Sequence, residues 1–158
     1  MHKTKQVELT FYKDEYSKAL RRFVLPPEQG QFTALPKEIE NVIDGQHRMI
    51  IVTNDEPVGF FLLHNTKRVQ EYTDNPNAML LTAFSINQIH QGKGYAKKGM
   101  RKLKNFVHTK FENCNEIVLA VNYKNSAAQQ LYKKVGFVDT GKRKIGKIGE
   151  QIIMNLKI

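Results

Sequence analysis

The sequence predicts an α/β protein of one domain, in which helices flank a mixed central β-sheet. Helical and strand-like segments follow each other in the order ααββ–βαβαββ, and no repeat, linker or low-complexity segment interrupts them. A chain of 158 residues, of which 41% are hydrophobic, has the usual size of one domain and can fill one core. We therefore expect a single domain over residues 1–158.

The N-terminal half is predicted to begin with two helices, over Asp14–Val24 and Pro36–Asp44. Both have apolar residues at helical spacing, and each is followed by a proline or a glycine that ends it. Three strands follow, over Arg48–Thr53, Pro57–His64 and Met79–Ile86. The first two are joined by a short turn, which indicates a hairpin, and the third is apolar almost throughout, which is typical of a strand covered on both faces.

The C-terminal half is predicted to begin with a long amphipathic helix that ends near Phe111, followed by a strand over Glu116–Val121. A further helix is expected over Ser126–Lys134, because it has a capping pattern at its start, lysines in its last turn and a glycine beyond it. Two closing strands, Phe137–Thr140 and Gln151–Leu156, complete the predicted sheet.

The formal charge of +10 is concentrated in the C-terminal half of the chain. Between Asn75 and Phe111 there are seven lysines and arginines and no acidic residue, and between Lys133 and Lys147 there are six basic residues and one acidic residue. This distribution indicates an anion-binding surface, although a solvated basic helix face would give the same pattern. Nucleic acid is a less favoured partner, because no exposed aromatic residues alternate with the basic ones.

Several other classes of protein are disfavoured by composition. The longest strongly apolar run, Val58–Leu63, is far shorter than the roughly 20 residues of a membrane helix, and the N-terminus leads into no apolar signal region. We therefore expect a cytoplasmic protein. The single cysteine, Cys114, cannot form an internal disulfide and has no partner at metal-ligand spacing, so we expect an inert thiol and no metal.

A glycine-containing loop, Gln91-Gly-Lys-Gly-Tyr-Ala96, lies between the apolar strand and the basic helix. A loop in this position can present backbone N–H groups and a helix N-terminus to a phosphate, and glycine permits close approach of the backbone. A dinucleotide-binding fingerprint would need glycine where Lys97 stands, and a P-loop would need Gly-Lys-Ser/Thr. The loop by itself leaves phosphate binding and a flexible turn as alternatives.

A second motif about thirty residues downstream, Asn125-Ser-Ala-Ala-Gln-Gln-Leu-Tyr132-Lys-Lys-Val-Gly136-Phe137, resolves this ambiguity. Together the two motifs closely resemble those of the GNAT family of N-acetyltransferases, which read Gln/Arg-x-x-Gly-x-Gly/Ala and Asn-x-x-Ala-x-x-Leu-Tyr-x-x-x-Gly-Phe. The matching residues are Gln91, Gly94 and Ala96, then Asn125, Ala128, Leu131, Tyr132, Gly136 and Phe137. The order of elements also agrees over roughly residues 48–140. The resemblance implies an N-acetyltransferase that uses acetyl-CoA as its co-substrate.

The resemblance also implies which residues bind the co-substrate. The diphosphate of coenzyme A would rest on backbone N–H groups of the loop, with Lys93 or Lys97 close to a phosphate. The pantetheine arm would pair with the backbone of Phe84 and Ile86, where the family's strand parts from the next one. Asn125 would cap its helix and, by the family pattern, would also bond the pantetheine. The full predicted set is Phe84, Ile86, Gln91, Gly92, Lys93, Gly94, Tyr95, Ala96, Lys97 and Asn125.

Catalysis would require a proton donor for the departing thiolate and a base for the amine. Tyr132 is the donor that the matched motif implies, because a phenol of pKa ~10 can protonate a thiolate of pKa ~8.5 when the two are hydrogen-bonded. A tyrosine at this place on a helix can equally serve packing alone. Glu71, Asp74, Glu28 or a chain of water molecules are the alternatives for the base.

The sequence leaves the acetyl acceptor open. In the family, the segments that correspond to Leu25–Leu35 and Arg68–Asn77 surround the acceptor, so Glu28, Phe32 and Glu71 are predicted to line the pocket. We expect a small primary amine, such as a polyamine or an amino acid. A protein N-terminus or lysine, and a CoA-binding regulator without activity, are the alternatives. A homodimer is compatible with the sequence.

Overall fold

The computed structural model describes residues 6–158, which form one mixed seven-stranded sheet with helices on both faces. The strands are β1 (Val7–Phe11), β2 (Gln46–Thr53), β3 (Glu56–His64), β4 (Ala78–Ile86), β5 (Glu116–Asn122), β6 (Val138–Gly146) and β7 (Gly149–Lys157). The α-helices are α1 (Ser17–Arg21), α2 (Pro27–Gly30), α3 (Tyr95–Met100), α4 (Leu103–Lys110) and α5 (Ser126–Lys134). The strand order is β1-β2-β3-β4-β5-β7-β6, and β4–β5 is the parallel pair.

The N-terminal segment differs most from the expectation. A strand that was not predicted, β1, pairs antiparallel with β2, and the first predicted helix is a 3₁₀ turn followed by the short α1. The second predicted helix, Pro36–Asp44, is only a 3₁₀ turn over Pro36–Glu38. Side chains explain its early end, because the backbone carbonyl of Glu40 accepts from Arg48 (3.0 Å) and the N–H of Ile43 donates to Gln46 (3.0 Å). These bonds replace those of a helix.

The C-terminal half follows the prediction more closely. The long basic helix is present as α3 and α4, which are separated by a tight turn in which Lys102 N–H donates to Gly99 O (3.1 Å). The closing strands are longer than expected, and they form a hairpin across Gly146 and Gly149 where a long loop was predicted. Within residues 6–158 none of the helices is long and apolar enough to cross a membrane. The N-terminal residues considered for a signal, 1–5, lie outside the described part.

Each face of the sheet buries its own apolar cluster. On one face, side chains of α3, α4 and α5 pack on the central strands; this cluster includes Met100, Leu103, Val107 and Tyr132. On the other face, Tyr16, Leu20 and Phe23 of the first turns pack on β2 and β3. Helix α3 approaches β2 closely, since a Cβ added to Gly99 would lie 2.7 Å from Ile51 Cδ1. A glycine at this contact is therefore a packing requirement.

The central pair of strands separates part-way along its length. Strands β4 and β5 pair only from Ala78–Leu80 to Glu116–Val118, and β4 then continues without a β5 partner. Just beyond this point Ala83 has φ +57°, and the register of β4 against β3 shifts between Phe60 and Leu62. Such a bulge bends a strand away from its neighbour. The result is a gap between the C-terminal halves of β4 and β5, which we call the β4–β5 gap.

Candidate active site

The edge of β4 at the β4–β5 gap presents backbone hydrogen-bonding groups. Asn87 N–H donates to Val58 O (3.0 Å), and Ser85 lies opposite Phe60 in the register. Backbone groups alternate in direction along an antiparallel strand, so Phe84 and Ile86 direct theirs away from β3 and towards the gap. These are the two residues predicted to pair with the pantetheine arm. Their geometry suits an extended chain with amide groups.

The predicted phosphate loop, Gln91–Ala96, lies between the end of β4 and the start of α3. Gly92 and Gly94 have φ of +77° and +81°, and a Cβ added to either would meet no heavy atom within 4 Å. Within residues 6–158 the backbone N–H groups of residues 92–97 make no hydrogen bond. Several N–H donors therefore face open space beside exposed Lys93, as an anionic diphosphate would require. The ring of Tyr95 is buried, so only its main chain is available to a ligand.

The side chain of Gln91 braces the loop. Its Nε2 donates to the carbonyl of Ile86 (2.8 Å), which joins the loop to the end of β4. The same amide exchanges two hydrogen bonds with the side chain of Gln29 on α2 (2.8 and 3.0 Å). Gln29 was not singled out from the sequence, because the two glutamines lie 62 residues apart and no local pattern relates them. The side-chain amide of Gln91 thus holds the loop in place.

Tyr132 lies at the other side of the gap, on α5. Its ring is buried, with 6% of the residue exposed, and it packs edge-on against Phe84 of β4 with ring centroids 6.2 Å apart. Burial raises the pKa of the phenol, so the hydroxyl stays protonated at neutral pH. No hydrogen bond to this hydroxyl is found in the described part of the chain. The protonated group is therefore available as a donor next to Phe84.

Asn125 lies where α5 begins, just after the end of β5. Its Oδ1 accepts from Ala128 N–H (3.3 Å), which confirms the predicted helix cap. The structure thus places four predicted features around one gap: the backbone of Phe84 and Ile86, the loop, Tyr132 and the start of α5.

The residues predicted for the acceptor pocket lie on separate segments. Glu28 is exposed on α2, next to Gln29, and Phe32 is half-buried just beyond that helix. Glu71 ends the 3₁₀ turn Lys67–Glu71, where its carboxylate pairs with Lys144 of β6 (3.4 Å). The two carboxylates thus belong to different elements, and that of Glu71 already has a cationic partner.

Two other candidates lie outside this arrangement. Asp74, the remaining carboxylate considered as a base, is exposed in the segment after the 3₁₀ turn. The thiol of Cys114 donates to Glu116 O (3.3 Å), and burial raises its pKa, as expected of an unreactive thiol. Among residues 6–158 no group of histidine, cysteine, aspartate or glutamate side chains could hold a metal ion.

Comparison with known proteins identifies the fold and the family. A match to the acetyltransferase (GNAT) family extends over residues 12–137, which is most of the chain. The chain belongs to the GNAT family. A curated relative, the uncharacterized N-acetyltransferase YbbJ of Bacillus subtilis (strain 168), is 44% identical over 156 residues, which cover 96% of this chain and 98% of the relative.

Solved GNAT structures show the same architecture at low sequence identity. The structure of AAC(6')-Ib in complex with paromomycin and acetyl-CoA has a TM-score of 0.75 at 16% identity, covering 96% of this chain and 93% of that one. A spermidine N-acetyltransferase SpeG chimera from Vibrio cholerae and hSSAT has a TM-score of 0.66 at 17% identity, covering 96% and 95%. These structures confirm the predicted α/β fold. Family membership confirms an acetyltransferase with acetyl-CoA as its co-substrate.

Proposed function

We propose that this GNAT enzyme, with residues 1–158 as one domain, transfers an acetyl group directly from acetyl-CoA to a primary amine of a small molecule. The observation that supports the proposal is the edge-on packing of the buried Tyr132 ring against Phe84, which lies on β4 beyond the last residue paired with β5. Neighbouring structures named for an aminoglycoside complex and for spermidine acetylation support a small amine as acceptor.

Binding of the co-substrate is assigned to the main chain. The free N–H groups of residues 92–97 would hold the diphosphate, and the backbone of Phe84 and Ile86 would pair with the pantetheine amides. Lys93 and Lys97 add positive charge at the loop, and helix α3, which follows the loop, has no acidic residue in its first turn. Asn125 would orient the same arm from the opposite side of the gap while it caps α5. Bound acetyl-CoA supplies an activated thioester carbonyl for attack by the amine.

Tyr132 acts as the general acid in this proposal. A buried phenol with a raised pKa stays protonated until a thiolate is generated beside it. The same low-polarity surroundings destabilise the thiolate, so the burial that weakens the acid also raises the proton affinity of the leaving group. Both pKa values rise, so their difference changes little, and proton transfer from the phenol to the thiolate within the gap is feasible.

The base is assigned by position. Glu71 is engaged by Lys144, and Asp74, three residues after it, is exposed and makes no hydrogen bond to the loop within residues 6–158. Glu28 lies on α2, whose Gln29 contacts the loop, so it is the carboxylate on the element nearest to the co-substrate. We propose that Glu28, acting through water, takes the proton of the amine.

An acceptor screen tests this function. Release of free thiol from acetyl-CoA is measured with amino sugars, polyamines, amino acids and peptides, and Tyr132→Phe serves as the control that retains the fold. Amine-dependent release that falls in this variant is expected. If acetyl-CoA binds but no amine stimulates release, the chain is a CoA-binding regulator. If peptides alone stimulate it, the acceptor is a protein.

A further inference from the structure

A chain of three polar side chains crosses β2, β3 and β4 and ends at the β4–β5 gap. The side-chain oxygen of Gln46 accepts from Ile43 N–H (3.0 Å), and Gln46 Nε2 lies 3.4 Å from Nδ1 of His64. The other ring nitrogen, Nε2, lies 2.6 Å from the hydroxyl of Thr82. His64 is 1% exposed, whereas Thr82 is half-buried. The chain therefore connects a buried imidazole to a threonine that is partly exposed.

The direction of every hydrogen bond in this chain follows from its first member. Ile43 N–H can only donate, so the atom of Gln46 that faces it is the amide oxygen, and the NH₂ group faces His64. An NH₂ group can only donate, so Nδ1 of His64 accepts and the proton of the neutral ring is on Nε2. Nε2–H then donates to Thr82 Oγ1. The hydroxyl hydrogen of Thr82 must consequently point away from His64.

The position of Thr82 brings this free donor to the gap. Thr82 lies two residues beyond Leu80, the last β4 residue paired with β5, and directly before Ala83, where β4 bulges. It pairs with Leu62, so its side chain is on the sheet face that packs against the first helical turns, opposite to Tyr132. Within residues 6–158 the Thr82 hydroxyl makes no hydrogen bond other than the one with His64. An oxygen atom of a bound ligand could accept the remaining hydrogen bond from this hydroxyl.

We propose that Thr82 is a specificity residue that donates a hydrogen bond to an oxygen of the acceptor, so that the enzyme prefers amines with a hydroxyl, ether or carbonyl oxygen near the amino group. The inference rests on the proposed function and refines its substrate class. Amino sugars and amino-acid derivatives have such an oxygen, whereas polyamines do not.

A proton relay through His64 is incompatible with the same geometry. For Thr82 to pass a proton from the amine to His64, Nε2 would have to be unprotonated and Nδ1 would carry the hydrogen. That hydrogen would then face the NH₂ group of Gln46, so two donors would oppose each other. Thr82 and His64 are therefore assigned to binding, and Gln46 and His64 act on the acceptor only through the orientation of Thr82.

The test compares two amines of equal size that differ in one atom, 2-methoxyethylamine and butylamine. The ratio of their kcat/KM values is measured for the wild type, Thr82→Val, Thr82→Ser and Gln46→Glu, and comparing this ratio between variants cancels the difference in amine basicity. Thr82→Val has nearly the same shape without a donor, and Thr82→Ser retains the donor. At a pH where the His64 ring is neutral, glutamate at position 46 would accept from Nδ1–H, reverse the chain and turn the Thr82 hydroxyl towards His64.

We expect the ratio to favour 2-methoxyethylamine in the wild type and to fall about fivefold to tenfold in Thr82→Val and Gln46→Glu, as for the loss of one hydrogen bond. Thr82→Ser should retain most of the preference, and the acetyl-CoA Kd should not change. The ¹⁵N shifts of His64 should show the Nε2–H tautomer in the wild type and the Nδ1–H tautomer in Gln46→Glu.

An unchanged ratio in Thr82→Val, or an Nδ1–H tautomer in the wild type, overturns the inference. If the enzyme acetylates spermidine but not 2-methoxyethylamine, the inference about Thr82 is wrong and the proposed function stands. If the wild type acetylates no amine at all, the proposed function itself is wrong and the inference falls with it.

Discussion

Replacement of Gly94 by alanine separates the ligand role of the loop from its backbone strain. Gly94 has φ +81° and caps α3, and its added Cβ would meet no protein atom within 4 Å. The left-handed backbone costs alanine about 1–2 kcal/mol of folding free energy. In the complex, the same Cβ would stand where the diphosphate has to approach the N–H groups. Loss of two hydrogen bonds to a charged group, at about 1.5–3 kcal/mol each, would raise the Kd of acetyl-CoA by roughly 100-fold or more.

Gly141 provides the matched control, because its φ is +85° and its added Cβ also meets nothing within 4 Å, yet it lies in the bulge of β6. Urea unfolding should show a similar loss of stability in Gly94→Ala and Gly141→Ala, of about 1–2 kcal/mol each. Isothermal titration calorimetry with acetyl-CoA should show weaker binding in Gly94→Ala alone. If both variants bind equally, or if Gly94→Ala binds as the wild type does, the diphosphate does not rest on this loop.

Three further predictions concern the acid, the helix contact and the buried histidine. Tyr132→Phe should lower kcat by about 10²–10⁴-fold, as for loss of a general acid, without changing the acetyl-CoA Kd measured by calorimetry; an unchanged kcat removes Tyr132 from the mechanism. Gly99→Ala should lose about 1–3 kcal/mol in urea unfolding, because its Cβ would press on Ile51 Cδ1 at 2.7 Å. Addition of Ile51→Val, which removes that carbon, should recover part of the lost stability. If the double variant instead loses the sum of the two single-variant losses, the predicted clash between Gly99→Ala and Ile51 is wrong. Burial lowers the pKa of His64 to about 4. As the pH falls, the imidazole is therefore protonated near pH 6.5 in the unfolded chain but only near pH 4 in the folded chain. The free energy of unfolding should therefore fall by about 3 kcal/mol as the pH drops from 6.5 to 4. Thermal unfolding measured over this pH range should show a smaller pH dependence for His64→Gln than for the wild type.

The parts of the site that the sequence predicts are those encoded in short segments. The loop at Gln91–Ala96 and the cap at Asn125 each depend on residues within a few positions of each other, and both lie where the motifs indicate. Helix α5 and strand β5 were predicted for the same reason, because their periodicity and end signals are local. Tyr132 was selected only through the resemblance, since its helix position alone indicates packing.

The missed features depend on partners that are distant in the chain. The β1 segment is five residues long and becomes a strand because β2 accepts it along its edge. The Pro36–Asp44 segment has helical periodicity, but Arg48 and Gln46 from β2 take the backbone groups that a helix would use. Local propensity is a weak determinant when tertiary contacts compete for the same backbone atoms.

By itself, the sequence determined the family, the α/β class, the co-substrate and the loop that would hold it. Only the tertiary structure decided where β4 leaves β5, because an alanine at φ +57° has no local signal and is held by the shifted register against β3. The tertiary structure also joined Gln29 to Gln91 and Gln46 to Thr82 through His64. The physical reason is the range of the interactions: motifs and periodicity report neighbours along the chain, whereas the direction of a hydrogen bond is set by whichever group the fold places opposite it.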